Sequence, residues 1–137
     1  MKKCLFILLI LIAAAACKKT KFEPKGPTDV RVRNLQSDYT FFDVVINTAG
    51  STDTVGNIKK LGIISPGAVS EYKRVAIAFS KAEITAKING EIFSTGPVNS
   101  TYMDYKGQMM LTYEVYISNM TNRVLTINNV IPEGSLP

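Results

Sequence analysis

The sequence contains no histidine and no tryptophan, and its two cysteines, Cys4 and Cys17, both lie near the N-terminus. Beyond Cys17 there is neither a thiol nor an imidazole. That inventory excludes internal disulfides, zinc sites built from nitrogen or sulfur ligands, thiol nucleophiles and every catalytic triad that needs an imidazole base. Charge is sparse too. Sixteen Lys and Arg against eleven Asp and Glu give a formal net charge of +5, a mild bias that argues against a nucleic-acid partner. The acids are scattered, and the Asp-x-[Asp/Asn]-x-[Asp/Asn]-Gly pattern of the common calcium loop is absent, so neither a metal nor a cofactor is expected.

Only one long apolar run is present. Met1-Lys2-Lys3 supplies a positive start, and residues 4–16 are apolar without interruption, closing on Ala14-Ala15-Ala16 before Cys17. A membrane-spanning helix needs about 20 such residues, whereas a secretory signal uses roughly 7–15 followed by small side chains at the cleavage site. Residues 1–16 therefore read as a signal peptide. The Ala-Ala-Cys ending resembles the lipobox of bacterial lipoproteins, with Ala14 where leucine is commonest. The resemblance implies diacylation of the Cys17 thiol and cleavage just before it. The plain alternative is an ordinary secretory signal cut after Ala16, which leaves Cys17 as a simple thiol.

Residues 17–27 mix Lys18, Lys19, Lys21 and Lys25 with Pro24, Gly26 and Pro27 and have no apolar period. They read as a tether, reaching roughly 30 Å if extended at ~3.1 Å per residue. Lysines next to a lipid anchor are attracted to anionic head groups by about 1 kcal/mol each.

From Thr28 the pattern becomes alternating, and residues 28–137 read as one domain. Val30 and Val32 oppose Arg31 and Arg33. Phe42, Val44 and Ile46 alternate with Phe41, Asp43, Val45 and Asn47, as in a central strand with one apolar and one mixed face. Ser65-Pro66-Gly67 is turn chemistry, followed by alternation at Val75, Ile77 and Phe79. Ile84, Ala86 and Ile88 lead through Asn89-Gly90 into Ile92 and Phe93, a hairpin that sets Ala86 opposite Phe93. Leu111, Tyr113, Val115 and Ile117 alternate with polar neighbours, and a last strand runs near residues 123–131, ending before Pro132 and Gly134. Residues 76–87 are rich enough in Ala, Lys and Glu to admit a helix as the alternative. About seven short strands without helical spacers predict an all-β fold, an antiparallel β-sandwich of immunoglobulin-like or transthyretin-like topology.

Val30-Arg31-Val32-Arg33-Asn34, Ser70-Glu71-Tyr72, Ile88-Asn89-Gly90 and residues 113–117 together resemble small lipoproteins of Bacteroidetes-type bacteria that carry one transthyretin-like or immunoglobulin-like sandwich. That family implies no settled activity. In some of its surface members acidic residues follow the cysteine and direct export. Here Lys18 and Lys19 follow it, which speaks against that export signal; the expected address is the outer membrane, with the periplasmic and exterior faces both left open.

Candidate sites are few. Tyr102, Asp104 and Tyr105 share an irregular connection where aromatic stacking and a carboxylate would suit a sugar, although rings covering a core edge have the same composition. Asp53-Thr54-Val55 resembles the Asp-Ser/Thr-aliphatic acceptor of O-glycans, with Thr54 as the attachment point. Arg31, Arg33 and Lys87 would make a basic stripe if they shared a face. No catalytic residue stands out. The expected function is a non-catalytic, membrane-anchored binding or assembly module whose partner is an envelope protein or glycan. The alternatives are a structural spacer and a carbohydrate-active enzyme, which would need two of Asp43, Asp104 and Glu114 lining one pocket.

Overall fold

The computed structural model describes residues 26–50, 56–99 and 104–136. Cys17, Thr54 and Tyr102 lie outside the described residues, as do the signal and nearly all of the tether. Eight strands follow in chain order: β1 Thr28–Asn34, β2 Phe41–Asn47, β3 Ile58–Ile64, β4 Lys73–Val75, β5 Glu83–Ile88, β6 Glu91–Ser94, β7 Met109–Asn119 and β8 Val124–Ser135. There is no helix among the described residues, and residues 76–87 contribute to β5 instead.

The strands form one mixed sheet in the order β3-β2-β5-β6-β8-β7-β1-β4, nearly closed into a barrel. Asn34 draws the two ends together. Fully buried at the end of β1, its Nδ2 donates to the carbonyls of Tyr39 (2.7 Å) and Ile64 on β3 (3.2 Å). The expected antiparallel sandwich of about seven strands is corrected in two respects. β1 pairs in parallel with β7, and β6 in parallel with β8. The additional strand is β3, whose Lys59-Lys60 and Gly62 interrupt any clean alternation.

Alternation predicts the core well where no bulge intervenes. Val30 and Val32 are buried on β1, Ile84, Ala86 and Ile88 on β5, and Leu111, Tyr113 and Val115 on β7. Tyr113 is enclosed completely because its hydroxyl has a partner, donating to the Phe79 carbonyl at 2.7 Å; burial raises its pKa. The hairpin at Asn89-Gly90 has the expected register, with Ala86 opposite Phe93 and both turn residues at positive φ.

On β2 the expected face is reversed at one end. Phe41 is buried and Phe42 exposed, because a bulge at Phe42 and Asp43 shifts the register against β3 and puts Asp43 at φ 47°. β8 likewise runs past the expected stop, through Pro132 to Ser135. Proline is tolerated where a strand has a neighbour on one side only.

Candidate functional site

β8 has two very different sides. Along one it pairs antiparallel with β7 from Val124 to Ser135. Along the other it meets β6 at a single position, Ser94 opposite Val124, with the Ser94 amide donating to the Arg123 carbonyl at 3.1 Å. The cause lies in Thr95. Its amide donates to the Ile84 carbonyl (3.0 Å), its Oγ1 donates to the Ala82 carbonyl (3.0 Å), and the Ile84 amide donates to that same Oγ1 (2.9 Å). The segment after β6 is thus fastened to β5 and drawn away from β8. Gly96 then turns at φ 83°, and Pro97 has no N–H to offer a neighbouring strand. From Leu125 to Val130, no strand among the described residues pairs with this side of β8.

The separation leaves a groove of about 890 Å³. One wall is β8 from Val124 to Val130, and the other is formed by Thr95 to Asn99, with Ser80, Lys81, Ala82 and Lys106 completing the lining. Leu125, Ala82 and Val98 supply buried or half-buried apolar surface, while Asn128 and Asn129 are exposed. Among the described residues, two lysines and no carboxylate line it. Neither Lys81 nor Lys106 forms an ion pair among the described residues.

A second polar concentration lies on the outer side of β1, β7 and β8. Glu133 accepts hydrogen bonds from Arg31 (2.5 Å), Tyr72 (2.5 Å) and Thr112 (2.6 Å), and the Arg31 guanidinium stacks 4.5 Å from the Tyr72 ring centre. The Thr112, Tyr72 and Arg31 bonds, largest effect first, hold the Glu133 carboxyl at about 2. Burial and the Glu133 bond push the Tyr72 phenol up. A carboxylate so firmly ionised is poorly matched to proton transfer near neutral pH, and its three donors already occupy it. This cluster fastens strands together.

The expected basic stripe does not form. Arg31 pairs with Glu133 and Arg33 with Glu114 (3.1 Å), while Lys87 belongs to β5, across the sheet order from β1. Asp104 and Tyr105 serve a backbone role. Residues 104–106 lie against 78–80 through the Ser80 amide to the Asp104 carbonyl (2.9 Å) and the Lys106 amide to the Ala78 carbonyl (3.1 Å). The Asp104 side chain is exposed, whereas the Tyr105 ring stands edge-on to Phe79 with centroids 6.2 Å apart. The Tyr105 hydroxyl is buried without a hydrogen-bond partner among the described residues, and burial raises its pKa. Asp43, Asp104 and Glu114 are separated: Asp43 edges a small cavity with Lys60 and Gly62, Glu114 binds Arg33, and none lines the groove. No cluster of three or more potential metal ligands occurs among the described residues, and no helix there is long and apolar enough to cross a membrane.

No family model matches the chain, and no curated protein matches it. Among solved structures, the NMR structure of a protein from Eubacterium rectale is similar in fold. It is 11% identical, the match covers 78% of this chain and 93% of that one, and the TM-score is 0.50. At that identity the likeness is one of fold alone.

Sequence reasoning overlooked the groove residues, Thr95 and the β8 edge above all. One signal was present. Pro132 inside a run that otherwise alternates marks a strand with an unpaired side.

Proposed function

We propose that this chain is a lipid-anchored, non-catalytic module of the bacterial cell envelope, held at the outer membrane through Cys17 and engaging a neighbouring protein through the open side of β8. The observation that carries the reading is the unpaired length of β8 facing a groove of about 890 Å³. Unpaired backbone N–H and C=O groups along a strand are a template for strand addition, a recurrent mode of protein recognition. A structural spacer has no use for such an edge. A carbohydrate-active enzyme is disfavoured by the separation of Asp43, Asp104 and Glu114, and a sugar site at Tyr102, Asp104 and Tyr105 by the packing of Tyr105 on Phe79. Thr54 remains our candidate for O-glycan attachment.

The single β6–β8 position divides the sheet order into β3-β2-β5-β6 and β8-β7-β1-β4. We take this as support for a sandwich-like ancestry of immunoglobulin or transthyretin type, in keeping with the resemblance to Bacteroidetes-type lipoproteins. The anchor is supported by the Ala14-Ala15-Ala16-Cys17 ending and by the lysine-rich tether.

Two measurements on intact cells test the proposal. Alkyne-palmitate labelling should mark the wild-type chain and be abolished by Cys17→Ala; equal labelling of both would remove the anchor. A photo-reactive amino acid at Asn128 on β8 should cross-link one defined envelope protein, whereas the same probe at Lys59 on β3 should not. Identical adducts from both positions would refute recognition through β8.

A further inference from the structure

We infer that the groove beside β8 takes an extended segment of a partner protein bearing carboxylates on alternate residues. This inference rests on the proposed edge recognition and adds the chemistry of the partner. β8 is extended from Val124 to Val130 along the groove, a span of about 20 Å at ~3.3 Å per residue, which matches about six residues of an added strand. Such a strand would satisfy backbone groups of β8 that the segment after β6 leaves unpaired, because Thr95 is fastened to β5 and Pro97 lacks an N–H.

The arginines of the described residues are each answered by a carboxylate, Arg31 by Glu133, Arg33 by Glu114, Arg74 by Asp29 and Arg123 by Glu91, whereas Lys59, Lys60 and Lys87 on the strands form no ion pair there. Among the described residues, Lys81 and Lys106 border the groove without an ion pair, and no Asp or Glu lines it. An incoming carboxylate is the complement this lining lacks. Successive side chains of an added strand point to opposite faces, so half would cover the half-buried Val98, Val124, Ile127 and Val130 while the others reach the lysines.

The test uses the full chain in detergent micelles and three fluorescein-labelled decapeptides. One alternates Val with Glu, one alternates Val with Lys, and one is the Glu peptide with proline at two alternate positions. Anisotropy should show the Glu peptide binding at least tenfold more tightly than the Lys peptide, and the proline peptide losing most of that affinity. Lys81→Glu with Lys106→Glu should reverse the charge preference, and Lys81→Arg with Lys106→Arg should preserve it. Equal binding of the Glu and Lys peptides would overturn the carboxylate inference while leaving edge recognition standing. Undiminished binding of the proline peptide would overturn edge recognition itself. Binding of a galacturonic acid hexamer but of no peptide would overturn both and make this a glycan site.

Discussion

Along one side β8 pairs with β7 over nearly its whole length, while along the other it meets β6 once, at Val124. β8 has the same extended backbone toward both neighbours, so strand propensity cannot explain the difference. The partner's loyalties do. β7 has eleven residues to offer, Met109–Asn119, and Tyr113 and Val115 bind it into the core. β6 has four, after which Thr95 commits the chain to β5. A strand pairs only as far as its neighbour remains available, and three hydrogen bonds from one threonine decide where that availability ends. Charge follows the same division. The outer face of β4, β1, β7 and β8 is laced by Asp29–Arg74, Arg31–Glu133 and Arg33–Glu114, whereas the lysines of the groove have no counterpart among the described residues.

The largest effect is expected at Leu125, which is buried at the point where β8 parts from β6. Leu125→Ala should destabilise the domain by about 2–5 kcal/mol, the range for a leucine truncated in a packed core, measured by urea unfolding. A loss below ~1 kcal/mol would mean that the core does not close around the seam. Thr95→Val should cost less, about 1–3 kcal/mol, because it leaves the Ile84 amide and the Ala82 carbonyl without their side-chain partner. It should also speed amide exchange at Thr95 and Ile84 while sparing β7. Unchanged exchange at those amides would show that Thr95 does not hold the segment in place.

The smallest effect is expected on the opposite face. Glu133 has its pKa depressed from 4.5 to about 2, so its contribution is complete above about pH 4.5 and is lost as pH falls toward 2. The carboxylate is a quarter exposed, with 26% of its side-chain surface accessible, and solvent screening keeps the effect to ~1 kcal/mol or less. Glu133→Gln should flatten the acid limb of stability between those pH values. An acid limb identical to wild type would place the acid sensitivity elsewhere.

Much of the fold was legible because half-buried strands alternate. Val30 and Val32, the Ile84-Ala86-Ile88 run and Leu111-Tyr113-Val115 all declared their inward face, and Asn89-Gly90 fixed a register. Three things were hidden for physical reasons. The bulge at Asp43 turned Phe42 outward, since one extra residue reverses every side chain on its far side. β3 escaped notice because Lys59, Lys60 and Gly62 obscure its period, although Ile64 is buried and Leu61 packs against the core. The parallel pairing of β1 with β7 is a long-range choice with no local signature. The groove was the least legible of all, because it is made by where β6 goes after Ser94 and not by any motif.

Hydrogen–deuterium exchange of the β8 amides, read residue by residue by NMR, reports on the open side of the strand itself. If β8 is open on one side, exchange should alternate within Leu125–Ile127 and again from Asn129 to Ile131, on either side of the register shift at Asn128, with amides directed at β7 or, at Val130, held by the Asn129 side chain slow and those directed at the groove faster by at least a hundredfold. Uniform slow exchange along the whole of β8 would mean that both sides are already paired, and the account of an open edge would be contradicted.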